Sequence, residues 1–303
     1  MPDPSSPVRN PLRGTALVLL AAGLWGTLGT VYRLGMEQYG LTPVAVVFYR
    51  AAITLALVTL AIIVTRRRVR LPGRDLALLA LYGALGVTAF YLCYIYAVRL
   101  TGVTTAVVLL YTAPAWVALL AWRVLGERPT WRTGVALGLT LMGAALVAGA
   151  NDPARLRTDA LGIACGLGAA FTYALYSIFG KLVIGRGIPL PVMLFWMFAV
   201  GSTGLAVAGP PEQLLDPGDQ WGAWALLALL TLGPTLGALV AYTAALRHLD
   251  AGPASIIATF EPLVATTLAF VVLHEAITPP QLLGGAAILG AVLVLRLPTR
   301  RRS

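Results

Sequence analysis

Apolar residues fall into ten runs, each closed by Arg, Gly, Pro or Asp, and polar positions gather mainly between them. The runs lie near 14–33, 43–64, 75–98, 103–122, 131–149, 160–182, 189–208, 220–246, 253–272 and 279–296. A helix needs about 20 apolar residues to cross a hydrocarbon core of about 30 Å, and the runs are near that length. Helices are the expected element, because a helix satisfies its own backbone in lipid. Leu100 to Gly102 joins the third and fourth runs, and Arg247 to Gly252 joins the eighth and ninth. Links this short force antiparallel neighbours. The polar stretch Ala150 to Asp159 divides the chain into two sets of five runs.

The two sets repeat one another at an offset of 148 positions. Ala77, Leu78, Leu79, Ala80 and Leu81 recur as Ala225, Leu226, Leu227, Ala228 and Leu229. Tyr94, Ala97 and Arg99 recur as Tyr242, Ala245 and Arg247; Pro114, Leu125 and Glu127 recur as Pro262, Leu273 and Glu275. A repeat this long in an apolar chain points to a membrane transporter built from two copies of one unit.

An odd number of spans per copy makes the second copy enter the membrane from the opposite side. Equivalent links then face opposite compartments, and their charges should differ. The link TRRRVRLPGRD carries Arg66, Arg67, Arg68, Arg70 and Arg74, whereas its counterpart GPPEQLLDPGDQ has no Lys or Arg. Arg123, Arg128 and Arg132 flank the fourth link; its counterpart around His274 and Glu275 has none. Placing the Arg-rich links in the cytoplasm puts both termini there, with Arg9 and Arg13 at one and Arg300, Arg301 and Arg302 at the other. All of the 22 Lys and Arg then lie inside except Arg33, Arg50, Arg99, Arg155 and Arg157. The expected fold is an all-α integral membrane protein: ten transmembrane helices as two inverted five-helix repeats around a central cavity. Its parts are a cytoplasmic tail (1–13), a first repeat (14–149), a linker (150–159), a second repeat (160–297) and a basic cytoplasmic tail (298–303). The first run reads as a retained helix rather than a cleaved signal, because it lacks a clear cleavage site and many spans follow.

Composition agrees. The 303 residues are 58% hydrophobic and 11% charged, against about one quarter charged in soluble domains. The net charge of +10 is therefore read as loop arginine, not as a nucleic-acid footprint. Cys93 and Cys165 lie in apolar runs and form no disulfide framework of the secreted type. There is no H-E-x-x-H, no Cys/His metal set, no G-x-S-x-G elbow and no P-loop, so no catalytic residue, metal or cofactor is expected.

Two stretches carry a family likeness: YTAPAWVALLAWRVLGERPTWRTGVALGLTLMGAAL and FEPLVATTLAFVVLHEAITPPQLLGGAAILGAVL. Each holds a Pro, an apolar helix, Leu-x-Glu and a Gly-rich last helix. With Trp25 in LWGTLG and Arg50 in FYRAAI, the chain from about 14 to 297 resembles the drug/metabolite transporter superfamily, specifically the ten-span EamA-type exporters. The resemblance implies secondary transport of small metabolites across a bacterial inner membrane, often outward. Amino acids are favoured, aromatic or apolar ones among them. A drug or lipid-linked sugar transporter of the same superfamily is the alternative; an intramembrane enzyme or a passive channel is the rival from another class. The expected partners are a small-molecule substrate and membrane lipid, with a homo-oligomer admitted and no nucleic acid.

Charge inside a span is costly, so Arg50 and Glu261 should face protein or water. Glu261 is suited to a proton or an ammonium group and Arg50 to a carboxylate, so a zwitterion would suit both; each also has a plain structural reading, and Arg50 can snorkel outward. Lys181, closing the sixth run, reads as interfacial. Trp25, Tyr94, Tyr111, Tyr173, Tyr176 and Tyr242 are the aromatic cavity candidates, while Trp131, Trp221 and Trp224 read as interfacial belt residues. Pro114 and Pro262 remove a backbone hydrogen bond at matched places, as gate elements or as fixed bends. Glu127 and Glu275 form the structural signature; at helix ends, each is expected to accept bonds from the start of the following helix. Glycines in the fifth and tenth runs suggest a close seam between halves or between protomers.

Overall fold

A computed structural model describes residues 10–208 and 220–297, and none of these forms a strand. The tails with Arg9 and Arg300–Arg302, and most of the link GPPEQLLDPGDQ, lie outside the described residues. In chain order the helices are α1 (Pro11–Tyr39), α2 (Pro43–Val64), α3 (Gly73–Leu110), α4 (Ala113–Leu125), α5 (Trp131–Val147), α6 (Ala160–Gly185), α7 (Leu190–Ala208), α8 (Trp221–Ala245), α9 (Ala251–Leu273) and α10 (Pro279–Arg296). Eight of these are long and apolar enough to cross a membrane, so this is a multi-pass membrane protein; α4 and α5 are apolar but shorter. The third and fourth predicted runs meet inside α3, where Gly102 (φ 79°, ψ 167°) leaves helical geometry.

Local sequence sets the ends. Thr42 accepts from the Ala45 amide at 3.1 Å, and Pro43 opens α2 with its φ already suited to a first helical turn. Asp159 does the same for α6 through the Gly162 amide at 2.7 Å. Thr130 with Thr133, and Thr278 with Gln281, form capping boxes at the starts of α5 and α10. Those two boxes stand at the repeat offset, and so do the left-handed residues just before them, Gly126 (φ 71°) and His274 (φ 55°).

Wide helical turns recur in the same way. Ala84–Ala89 in α3 and Thr231–Gly237 in α8 are π-helical, a geometry that lengthens the hydrogen-bond ring and often marks functional positions. In α8 Pro234 supplies no amide to the ordinary ladder. The helical path is also interrupted at Tyr111–Thr112 and at Thr259–Phe260, directly ahead of Pro114 and Pro262.

The halves interlock. α1 packs on α8 and α9, and α6 packs on α3 and α4; α2 meets α7, and α5 meets α10. At the last contact Gly143 and Gly284 face each other: a Cβ on either would sit 2.6 Å from the other's carbonyl oxygen. At one end of the bundle, Asn10 lies by His248, Asp75 by Arg186, Glu127 by Ala251, and Arg132 by the Leu297 carbonyl. At the other end, Arg33 meets Glu275, Gln281 meets the Val147 carbonyl, and the Arg157 amide donates to Thr105.

Candidate functional site

The core of the bundle is an aromatic cluster carried by α1, α3, α6 and α8. Trp25 lies 5.4 Å from Tyr242 and 6.4 Å from Tyr173 between ring centres. Tyr176 joins Tyr242 at 5.9 Å and Tyr82 at 5.3 Å; Phe90 links Tyr173 at 5.8 Å to Tyr94 at 6.3 Å. Helical spacing puts Tyr173 and Tyr176 on one face of α6. The Tyr242 hydroxyl shares a 2.9 Å hydrogen bond with Ser177. Buried hydroxyls are normally paired, yet those of Tyr82, Tyr176 and Thr243 make no hydrogen bond of ordinary geometry among the described residues.

Beside this cluster the break in α9 presents Glu261. Its carboxylate lies within electrostatic reach of Tyr94, Tyr111 and Tyr173. It has no ion-pair or hydrogen-bond partner among the described residues. Gly26 lets α1 approach this break: a Cβ there would lie 2.9 Å from the Glu261 carbonyl oxygen and 2.6 Å from Val264 Cβ.

Arg50 is only 3% exposed, so it does not snorkel to the surface. Its Nε donates to Thr235 Oγ1 at 2.8 Å and one terminal nitrogen to the Tyr32 hydroxyl at 2.7 Å. Thr235 sits in the π-helical turn of α8, and its hydroxyl also bonds the Leu230 carbonyl at 2.8 Å. The wide turn is thus what aims Thr235 at the guanidinium. Tyr32 in turn lies within reach of Tyr94. Arg50 and Glu261 form no ion pair with each other.

Six of the aromatic and acidic candidates, Trp25, Tyr94, Tyr111, Tyr173, Tyr242 and Glu261, come together here, with Tyr176 beside them. Glu127 and Glu275 do not. Glu127 accepts the Ala251 amide at 2.7 Å and pairs with Lys181 at 3.3 Å. The expected partner, the start of the following helix, is replaced by the start of α9 in the other half. Thr130 already caps α5, and the tight left-handed turn at Gly126 aims the carboxylate across the bundle. Glu275 pairs with Arg33, which also holds Glu37 at 2.9 Å. Lys181 is largely buried and held by Glu127. Trp131 and Trp221 are exposed, as belt residues would be, and Trp224 less so. Cys93 and Cys165 are free thiols.

Two crevices open near the bundle ends. One of about 940 Å³ is bounded by Glu127, Arg128, Asp250 and Pro253; one of about 280 Å³ by Gly29, Arg33, Thr266 and Glu275. Sequence reasoning missed Tyr32, Thr235 and Ser177, which are ordinary apolar-run hydroxyls until folding sets them against Arg50 and Tyr242. It also missed a readable signal: Lys181 stands at the repeat offset from Arg33, as Glu275 does from Glu127.

Comparison with known proteins fits this geometry. The EamA-like transporter family matches twice, over residues 12–149 and 160–297. A probable terminal-alkyne amino-acid exporter of Streptantibioticus cattleyicolor is 31% identical over 289 residues, covering 95% of this chain and 94% of that protein. The threonine/homoserine exporter RhtA of Escherichia coli is 28% identical over 260 residues, covering 83% and 82%. A crystal structure with 19% identity superposes with a TM-score of 0.79, covering 96% of this chain and 99% of that one, which bears on the fold alone.

Proposed function

The chain belongs to the EamA-like transporter family, and from that premise we propose that it exports small amino acids by alternating access. The single observation that carries the substrate class is the presence in one bundle of two intramembrane charges: Glu261, with no partner among the described residues, and Arg50, whose partners are hydroxyls. Either charge alone at bilayer depth is costly. A zwitterion supplies what each lacks: an ammonium group for Glu261 and a carboxylate for Arg50. Trp25, Tyr94, Tyr111, Tyr173 and Tyr242 would enclose the side chain between them, through the apolar faces of their rings. The two relatives named as amino-acid exporters support the same class.

The architecture that would serve this is ten spans in two inverted five-helix repeats about a central cavity. The matched caps, π-helical turns and interrupted helices support two copies of one unit. The grouping of helix ends supports inversion: the start of α1 lies with the end of α8, while the start of α6 lies with the residues ending the first part of α3, where Gly162 meets Thr101. Arginine in the links near Arg66 and Arg128 supports a cytoplasmic side there, with both termini inside an inner membrane. Tyr111–Thr112 with Pro114, and Thr259–Phe260 with Pro262, would be the bending points of the two mobile arms.

The test is reconstituted transport with a panel of amino acids at two pH values. The expected result is saturable, counterflow-competent movement of zwitterions that Arg50→Met and Glu261→Gln each lower about a hundredfold. Unsaturable flux, or equal transport of decarboxylated analogues, overturns the reading.

A further inference from the structure

The two signature carboxylates have partners that obey the same repeat. Arg33 and Lys181 are separated by 148 positions, as are Glu127 and Glu275. Each ion pair joins the end of the first helix of one copy to the end of the fourth helical stretch of the other: α1 to α9, and α6 to α4. The pairs lie at opposite ends of the bundle, and they differ in water. Arg33 and Glu275 are 49% and 51% exposed, whereas Lys181 and Glu127 are 11% and 16% exposed. The crevice at the Arg33 end is walled by Gly29 and Thr30 of α1 and Thr266 of α9, so this end is open between the two paired helices. The crevice at the Glu127 end includes no residue of α6, so it lies on the far side of Glu127 from Lys181.

We propose that these are reciprocal latches: one pair is dry and the other hydrated in any state, and they exchange burial when the central site changes sides. The inference rests on the alternating-access reading above. Taking an ion pair out of water costs desolvation that mutual attraction only partly repays. If one pair dries as its twin wets, the two costs oppose each other. The end states then stay close in free energy, which a carrier requires if substrate is to shift the balance. The latches are not identical. Guanidinium is more weakly hydrated than ammonium, so drying the Arg33 pair costs less than drying the Lys181 pair. Lys181→Arg should therefore deepen the state described here.

The experiment uses the full chain in nanodiscs, with Cys93→Ala and Cys165→Ala, and matched single reporters Ala118→Cys and Thr266→Cys. A membrane-impermeant maleimide is expected to label Thr266→Cys faster than Ala118→Cys. Adding Glu127→Gln should raise Ala118→Cys labelling and lower Thr266→Cys labelling, each by about tenfold. Glu275→Gln should move both in the opposite sense, and Lys181→Arg should slow Ala118→Cys. The exchange Lys181→Glu with Glu127→Lys re-forms the ion pair but not the bond that Glu127 accepts from Ala251, so it should recover part of the Glu127→Gln shift. Unchanged rates, or both reporters rising together with no recovery in the exchange variant, overturn the latches. Labelling needs no substrate, so a protein that carries something other than amino acids would still show the exchange. Intact amino-acid transport without any exchange would sink the latches alone.

Discussion

At the break in the first copy the chain runs Tyr111, Thr112, Ala113, Pro114; at the break in the second it runs Thr259, Phe260, Glu261, Pro262. The backbone path is alike: two non-helical residues, then a helix that starts with its proline in the first turn. The chemistry is not. Ala113 is 1% exposed and packed in the core, while Glu261 is half-buried and faces tyrosines. The two copies therefore share the helix break but not the charge. Under the proposed reading, the symmetric features of this bundle would serve movement and the asymmetric ones recognition. Arg50 agrees, since its counterpart 148 positions later is Phe198 in the buried core.

The harshest way to break that contrast is to make the copies alike. Ala113→Glu forces a carboxylate into a site with no room or partner and should cost about 3–5 kcal/mol, read as loss of folded yield in detergent. Next, Glu261→Gln should keep folded yield but lower amino-acid transport about a hundredfold, equivalent to about 2.7 kcal/mol. It should also flatten the pH dependence. In the parent, acidification that protonates Glu261 removes the ammonium partner and slows transport; the amide cannot titrate. A parent and variant with superimposable pH profiles would remove Glu261 from the recognition side of the comparison. A smaller effect is expected at the symmetric seam. Gly284→Leu must push Gly143 and its helix away, costing about 1–3 kcal/mol and lowering the thermal midpoint. Gly134→Leu, where no atom lies within 4 Å of an added Cβ, should leave the midpoint unchanged. The least effect is expected from Tyr242→Phe, which removes the Ser177 hydrogen bond for about 1 kcal/mol and should shift substrate KM less than Glu261→Gln does.

Much of the architecture was legible because lipid is a stringent solvent. It forces long apolar runs, restricts charge to the links and makes Arg50 and Glu261 conspicuous. The fixed offset exposed the duplication and the paired prolines. Less visible was what a helix does internally. The π-helical turns at Ala84–Ala89 and Thr231–Gly237 leave no pattern in apolar spacing, and Pro234 alone hints at the second. Glu127 was expected to accept from the start of α5, because sequence proximity favours it, and accepts from the start of α9 instead. Thr235 and Tyr32 carry no mark distinguishing them from other hydroxyls in apolar runs.

The order of residues alone determined that this chain lives in a membrane, that one unit occurs twice, and which matched helices carry a proline. Those properties follow from solvent, periodicity and proline, which act within a helix. Tertiary packing alone decided that Arg50 meets hydroxyls rather than a carboxylate, that Glu261 has no partner among the described residues, and that twin ion pairs differ in exposure. Those outcomes depend on contacts between helices far apart in the chain, where a few ångströms of approach set which polar groups meet and which remain free for a ligand.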